Sequence, residues 1–339
     1  MMPAPPVHSF VFPSLMGSVL ADRDVCFAVV GATGWLGQAT LNILDSALGP
    51  QMANRVIAFG SHDREIKLRA GRRVRIHALD NLVNLADEKR YFFLHYAFLT
   101  RGKVATYSHD DYIAGNAAIT DAVSRAVAER KTIGLFIPSS GAVYRKDGTL
   151  DADIAANPYG VLKLRDEAHF GQIAAQLGIS LAIMRIFNLS GPYINNVNTY
   201  ALSSIILDIL RGCPVTLRAS HPVIRSYVAI FDVIDLALCI LSDREQRMAK
   251  PFDTAGEREI ELGELANLSA TVLGRPDIRI ERPPLREEPA DRYVGEETAM
   301  RARAARYGIA LVPLAHQINE TADYLRETLQ CDCRDRCQN

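Results

Sequence analysis

The sequence predicts an α/β protein built on a Rossmann-type, doubly wound parallel sheet, with a smaller C-terminal substrate-binding domain. Three observations predict it. The apolar run from Val25 to Val30 opens directly onto a glycine-spaced turn and then a helical pattern, which is the signature of a buried strand feeding a helix. Short apolar strands then alternate with longer helical stretches as far as Phe187, the rhythm of parallel βαβ units with right-handed crossovers. Past Asn188 that rhythm loosens, as expected of a second, smaller domain at the carboxyl edge of the sheet, where pockets open in such folds.

In order, helix is expected over residues 35–48, then strands over 55–59, 74–76 and 91–96. A long helix over 109–129, a strand over 133–137, a helix over 158–177 and a strand over 180–187 complete the main sheet. Residues 191–217 should hold one helix and one strand, 224–230 a strand and 232–241 a helix, with an Arg- and Pro-rich loop around 282–292. The resulting division is an N-terminal extension over 1–22 and a dinucleotide-binding domain over 23–190, to which 224–250 returns. A substrate-binding domain is expected over 191–223 and 251–330, followed by a polar tail over 331–339.

With 339 residues, 48% of them hydrophobic and 23% charged, the chain can bury a sizeable core. Lys+Arg 38 against Asp+Glu 39 leaves a formal charge of −1, so no overall field favours nucleic acid or an anionic membrane surface. Any anionic substrate has to be gripped by local arginines. No segment approaches the roughly 18 to 20 apolar residues of a membrane span, and the first residues, with prolines and no basic n-region, do not read as a signal peptide. The cytoplasm is the expected location. Cys26, Cys213 and Cys239 sit in apolar segments and read as buried small hydrophobes. Cys331, Cys333 and Cys337 crowd the tail without a histidine or a second ligand pair, so no metal is expected.

The first chemical motif is Gly31-Ala32-Thr33-Gly34-Trp35-Leu36-Gly37, between a strand and a helix. Such spacing gives a tight turn, close backbone approach to a pyrophosphate and close helix-on-strand packing. The diphosphate then lies against the first amides of the helix, which makes Gly31, Thr33, Gly34, Trp35, Leu36 and Gly37 candidate cofactor residues. An NAD-preferring site carries an acid about 20 positions on; here Gly60 stands at that point, followed by Ser61, His62, Asp63 and Arg64. The missing carboxylate, with Ser61 and Arg64 beside it, favours NADP over NAD. Asp80 and Asn81, after the third strand, are placed to meet the adenine or simply to make a turn.

The second motif is Ser139-Ser140 at the end of a strand, followed by Tyr159 and Lys163 four apart on a helix. That spacing puts phenol and ammonium on one face, one turn apart. The ammonium and the oxidised nicotinamide together would stabilise a phenolate, lowering the phenol's pKa from about 10 toward the working pH. Tyr159 would exchange a proton with the substrate oxygen while hydride moves to or from a nicotinamide. Ser140 would bind the same oxygen, with Ser139 as the second choice, and both Tyr159 and Lys163 would touch the cofactor.

From Val25 to Gly308 these residues resemble the extended short-chain dehydrogenase/reductases, the NAD-dependent epimerase/dehydratase family. Leu94-His95-Tyr96-Ala97 is similar to the family's His-Leu-Ala-Ala, Met184 to Pro192 to its Leu-Arg-x-Phe-Asn-x-x-Gly-Pro, and Arg225 to Val233 to its Arg-Asp-Phe-x-x-Val-x-Asp-Val. The resemblance implies that Asn116 is the structural asparagine of a catalytic tetrad, and that Asn188, Arg225 and Arg286 face the diphosphate of a nucleotide sugar. It also implies a homodimer through the helices at 109–129 and 158–177. Three departures stand out. Ser140-Gly141-Ala142 replaces the Thr-Asp-Glu that a dehydratase needs, Phe98 replaces the second alanine near the cofactor, and Gly60 replaces the acid. The expected function is therefore a nucleotide-sugar epimerase or keto-reductase. An NADP-dependent reductase or dehydrogenase of a non-sugar alcohol or ketone, and a non-catalytic dinucleotide sensor, are the alternatives.

Overall fold

The computed structural model describes residues 10–243, 245 and 250–336, with side chains through Leu329. Its main sheet is assembled from β1 (Val25–Val30), β2 (Val56–Gly60), β3 (Arg64–Lys67), β4 (Arg73–Ala78), β5 (Arg90–His95), β6 (Lys131–Ser140), β7 (Ser180–Ile186) and, past β8 (Val223–Ser226), β9 (Phe252–Asp253). The spatial order is β9-β7-β6-β5-β1-β2-β4-β3. All neighbours run parallel except β3, which folds back on β4 as an antiparallel edge. The order reverses between β1 and β5, so the crevice of this doubly wound sheet opens beyond the carboxyl ends of those strands.

Two of the main helices are held at their N-termini by side-chain caps, and a third follows a glycine. α1 (Trp35–Leu48) starts at Gly34. α2 (His109–Glu129) is capped by the Ser108 hydroxyl, which accepts from the Asp111 amide. α3 (Pro158–Leu177) starts at Asn157, whose side chain accepts from the Gly160 amide, and ends at left-handed Gly178. β1 is buried at every position, and α2 and α3 cover the face that carries Ala28, Val30, Phe93 and Ile137. α4 (Ala201–Arg211) packs with the later helices over 262–272 and 314–336, while α5 (Ile230–Ser242) packs with α1 on the other face of the main sheet.

The stretch that was expected to return to the sheet divides in two. β8 pairs antiparallel with β10 (Glu259–Glu261) and parallel with β11 (Asp291–Tyr293), forming a small separate sheet. The next residues, Val228 and Ala229, pair with Leu189 and Ser190. The return to the main sheet is made by α5 and then by β9, which pairs with β7. Helices α6 (Leu262–Val272), α7 (Thr298–Tyr307) and α8 (Leu314–Arg336) complete the chain.

The residues before β1 are folded onto the core from Phe10. The amides of Val11 and Phe12 donate to the two oxygens of Asp235 on α5, at 2.8 and 2.7 Å, and Phe12 and Met16 are fully buried. The buried Arg55 guanidinium clasps the carbonyls of Val19, Leu20 and Val25. Among the described residues no helix is long and apolar enough to cross a membrane.

Candidate active site

The glycine turn closes where β1 ends. The amides of Gly31 and Ala32 both donate to the Phe59 carbonyl of β2, and Gly31 takes a left-handed φ of 86°. A Cβ on Gly31 would lie 2.5 Å from the Ala97 nitrogen, and one on Gly37 would lie 2.3 Å from the Gly31 carbonyl oxygen. Those two glycines are demanded by the protein itself. Gly34 is different: its Cβ would meet nothing nearer than the Gly31 carbonyl at 3.4 Å, an ordinary contact. The bare backbone at Gly34 thus leaves room for a ligand group at the N-terminus of α1, whose first amides have no carbonyl a turn behind them. The residues present fit a dinucleotide's pyrophosphate. Trp35 contributes through its backbone, because its indole donates to the Pro192 carbonyl at 2.7 Å and packs on Tyr200.

At the ribose end, the space beside Gly60 is closed by Ile76, 2.9 Å from where a Cβ would stand. Arg64 reaches back to the glycine turn and donates to the Thr33 hydroxyl at 3.3 Å. Ser61 pairs with His62, while Asp63 faces Arg75 and His77 at 3.9 Å. Asp80 is exposed. Asn81 accepts from Asn84 at 3.0 Å and lines a cavity of about 400 Å³ with Phe59 and His77.

Across the crevice, β6 delivers Ser140 and α3 delivers Tyr159 and Lys163. Gly160 makes this approach possible, since a Cβ there would sit 2.0 Å from the Ala142 carbonyl oxygen. The Ser140 hydroxyl accepts from the Ala142 amide at 3.1 Å and lies close enough to the Tyr159 phenol to favour its ionised form. Burial pushes the Tyr159 phenol above its ordinary range, against a smaller opposite influence of nearby Ser140. The lowering expected from the sequence counted on the oxidised nicotinamide as well as the ammonium, and the protein without that cofactor does not produce it. The Lys163 ammonium, 7% exposed, donates to the Pro138 carbonyl at 3.0 Å. Burial brings it down to about 8, opposed by Asp166 and Glu167.

Asn116 lies one helix away, but its amide is spent on the backbone: Oδ1 accepts from Leu99 at 2.8 Å and Nδ2 donates to Tyr112 at 3.0 Å. It anchors the strand-end loop to α2. Ser139 points behind the sheet and donates to Glu167 at 2.5 Å. Glu167 also holds Arg185 through both oxygens, at 2.9 and 2.6 Å, and Arg185 in turn reaches the Tyr144 hydroxyl. Tyr144 donates to Asp253 of β9 at 2.9 Å. This network ties β6 to α3, β7 and β9.

The substrate-side residues are held by protein partners. Asn188 donates to the carbonyls of Ser226 and Tyr293, at 3.2 and 3.1 Å. Arg225 donates to the Asp291 carbonyl and carboxylate, both at 2.8 Å. Of the three loop arginines, Arg282 pairs with Glu261 and Arg292 with Glu259. Arg286 is 71% exposed, 3.5 Å from Glu288. The residue that sequence reasoning missed is Tyr293, on β11, whose hydroxyl stands 3.4 Å from Ser140 Oγ and whose ring packs on Phe187 at 4.8 Å. No local pattern marks it. Among the described residues no cluster of His, Cys, Asp or Glu could hold a metal; Cys26 and Cys239 are buried as expected, whereas Cys213 is exposed because it follows the Gly212 cap that ends α4, and the side chains of Cys331, Cys333 and Cys337 lie outside the described residues.

A glycine turn facing a Ser-Tyr-Lys group agrees with the family match, in which the NAD dependent epimerase/dehydratase family covers residues 27–252. The chain belongs to that family. Among curated proteins, this family member is similar to a UDP-glucose 4-epimerase of Mycoplasma genitalium, 24% identical over 166 residues, 42% of this chain. The match spans about half of that relative's length, 48%. Its fold is shared with a UDP-glucose 4-epimerase of Thermotoga maritima solved with UDP-glucose, at TM-score 0.67 and 17% identity over 89% of this chain and 99% of that one. The epimerase Mth375 of Methanothermobacter thermautotrophicus matches at TM-score 0.69 and 16% identity, covering 94% and 97%. A Thermus thermophilus UDP-glucose 4-epimerase solved with NAD matches at 0.65 and 18%, covering 89% and 98%.

Proposed function

We propose that this member of the epimerase/dehydratase family is a nucleotide-sugar epimerase that works with a bound nicotinamide dinucleotide. The observation that carries the reading is the grouping of Ser140 and Tyr159 beside the buried Lys163 ammonium, set across the crevice from an α1 N-terminus with room for a diphosphate at Gly34. The nicotinamide, when bound, supplies the hydride acceptor and donor. Tyr159 Oη takes the proton of the sugar hydroxyl and later returns it, Ser140 holds the same oxygen, and Lys163 keeps the phenol's charge affordable. Arg225 and Asn188 are proposed to face the sugar nucleotide's diphosphate, with Arg286 joining from its loop. Gly141 and Ala142 offer no acid or base, which disfavours elimination of water. The relatives named for UDP-glucose support the substrate class.

A second reading, a keto-reductase that exchanges NADP, is supported by one feature: Arg64 lies on the glycine turn at Thr33, and no carboxylate stands at Gly60. The relative solved with NAD speaks for the other form. A homodimer through α2 and α3 is proposed from the family resemblance. The test is to denature purified protein and weigh the nucleotide it releases, then follow UDP-glucose and other nucleoside-diphosphate sugars by NMR. Inversion at one sugar carbon without net change in the dinucleotide is the expected result. Stoichiometric consumption of NADPH would replace it with the reductase. No conversion of any sugar nucleotide, together with no thermal protection by nucleoside diphosphates, would remove the sugar reading altogether.

A further inference from the structure

Lys163 has three N–H groups and almost no water. One is taken by the Pro138 carbonyl, and 3.9 Å from Nζ stands the centre of the Phe98 ring. The same ring meets Tyr159 nearly at right angles, at 5.7 Å between centroids and 82° between planes. Phe98 is not loosely placed. The next residue, Leu99, is pinned to α2 on both sides of its peptide, by Asn116 at its amide and by Tyr112 at its carbonyl, at 2.8 and 2.5 Å. One aromatic ring therefore touches both members of the pair while being held by a third element.

We propose that Phe98 is a positioning residue for the Tyr159–Lys163 pair: its π face holds the Lys163 ammonium in a site closed to water, and its contact with Tyr159 fixes the tilt of the phenol. The proposal rests on reading that pair as the catalytic one. A hydrocarbon neighbour would leave a nearly buried ammonium with too few partners, whereas the negative face of an aromatic ring stabilises it, more strongly in a desolvated site. The other charged or titratable groups near Lys163 are accounted for. Asp166 and Glu167 lie on its own helix, the first bonded to Thr120 of α2 and the second locked to Arg185 of β7. His95, on β5, is buried beside it and held neutral, down to about 3, first by burial and then by the Lys163 charge itself. The phenol of Tyr159 lies one turn back on the same helix.

The ring has two opposed effects on Lys163: it excludes water, which disfavours the ammonium, and it offers a π face, which favours it. Phe98→Leu removes only the second and Phe98→Ala removes both, so the two variants move the ammonium's titration in opposite directions. In full-length protein with ¹³Cε-labelled lysine, with and without added NAD, the Lys163 signal is the one that disappears in Lys163→Arg. Its midpoint, about 8 in the wild type, should fall by about one pH unit in Phe98→Leu and rise by about one in Phe98→Ala. Phe98→Tyr, which keeps the face, should hold it within a few tenths. The alkaline limb of kcat should move the same way, because Tyr159 loses its neighbouring charge as pH rises through that midpoint. Any other order of midpoints, including no movement or a rise in both variants, overturns the proposal. Absence of turnover on every sugar nucleotide would instead remove the proposed function, and the NMR order would still judge the ring.

Discussion

The half of the crevice proposed for the dinucleotide and the half proposed for the sugar are built on different principles. On the first side the work is done by backbone and by helix phase: a turn where a Cβ on Gly37 or Gly31 would come within 2.3 or 2.5 Å of the backbone, the N-terminus of α1, and a Tyr and a Lys one helical turn apart. None of these has to move to meet a ligand. On the second side the candidate groups are long side chains already engaged, Arg225 with Asp291 and Asn188 with two carbonyls. A ligand there has to compete with protein partners. The first half is preorganised and the second has to be recruited, so damage should appear as lost chemistry or fold in one and as weakened affinity in the other.

The largest expected effect tests the chemistry of the preorganised half. Tyr159→Phe removes the proton-transfer atom and keeps the ring against Phe98, so kcat should drop about 10³-fold while dinucleotide affinity stays within about twofold. Retained turnover would mean that the phenol is not the acid or base. Next comes acid stability. His95 is fully buried with its value driven down to about 3 by desolvation, so folding favours its neutral form. That contribution is complete above the unfolded value of about 6.5 and is lost as pH falls toward the folded value. Unfolding free energy should decline by roughly 3 kcal/mol between pH 6.5 and 4 from this group, and His95→Leu should flatten that slope. An unchanged slope in denaturant titrations would place the acid-labile group elsewhere.

Of similar size but opposite character is the glycine pair. Gly37→Ala forces a Cβ to 2.3 Å from the Gly31 oxygen and 2.6 Å from the Ala32 Cα, both backbone, and should cost about 3 kcal/mol of stability. Gly34→Ala meets only an ordinary contact, so thermal stability should hold while dinucleotide affinity falls at least about tenfold. Normal affinity in Gly34→Ala would show that the pyrophosphate does not pass there.

The same contrast explains what could be read in the sequence. Helix limits were legible because Ser108, Asn157-Pro158 and Gly178 act locally, and the glycine turn and the Tyr159–Lys163 spacing are local as well. The β3 edge was not, because Arg64–Lys67 is mostly exposed and charged and owes its strand form to pairing with β4. The docking of Phe12 on Asp235, 223 residues away in sequence, and the meeting of Tyr293 with Ser140, 153 residues away, leave no periodic trace. Phe98 stood out as a departure from the family pattern, but its use became visible only when Lys163 was placed beside it. The arginines were legible as residue types and not as partners, since a guanidinium's reach spans several neighbours.

The smallest expected effect probes the recruited half through one ion pair. Arg225 is 20% exposed and its partner Asp291 52% exposed, so the pair is screened and breaking it should change stability by less than about 1 kcal/mol. If Arg225 has to leave Asp291 to grip a diphosphate, the two single variants should act in opposite directions on binding. Arg225→Ala should raise the KM for a sugar nucleotide about tenfold, whereas Asp291→Asn, by weakening the competing partner, should lower it severalfold and leave kcat nearly unchanged. Equal losses in both variants would mean that the ion pair itself shapes the pocket, and that the guanidinium serves β8 and β11 rather than the ligand.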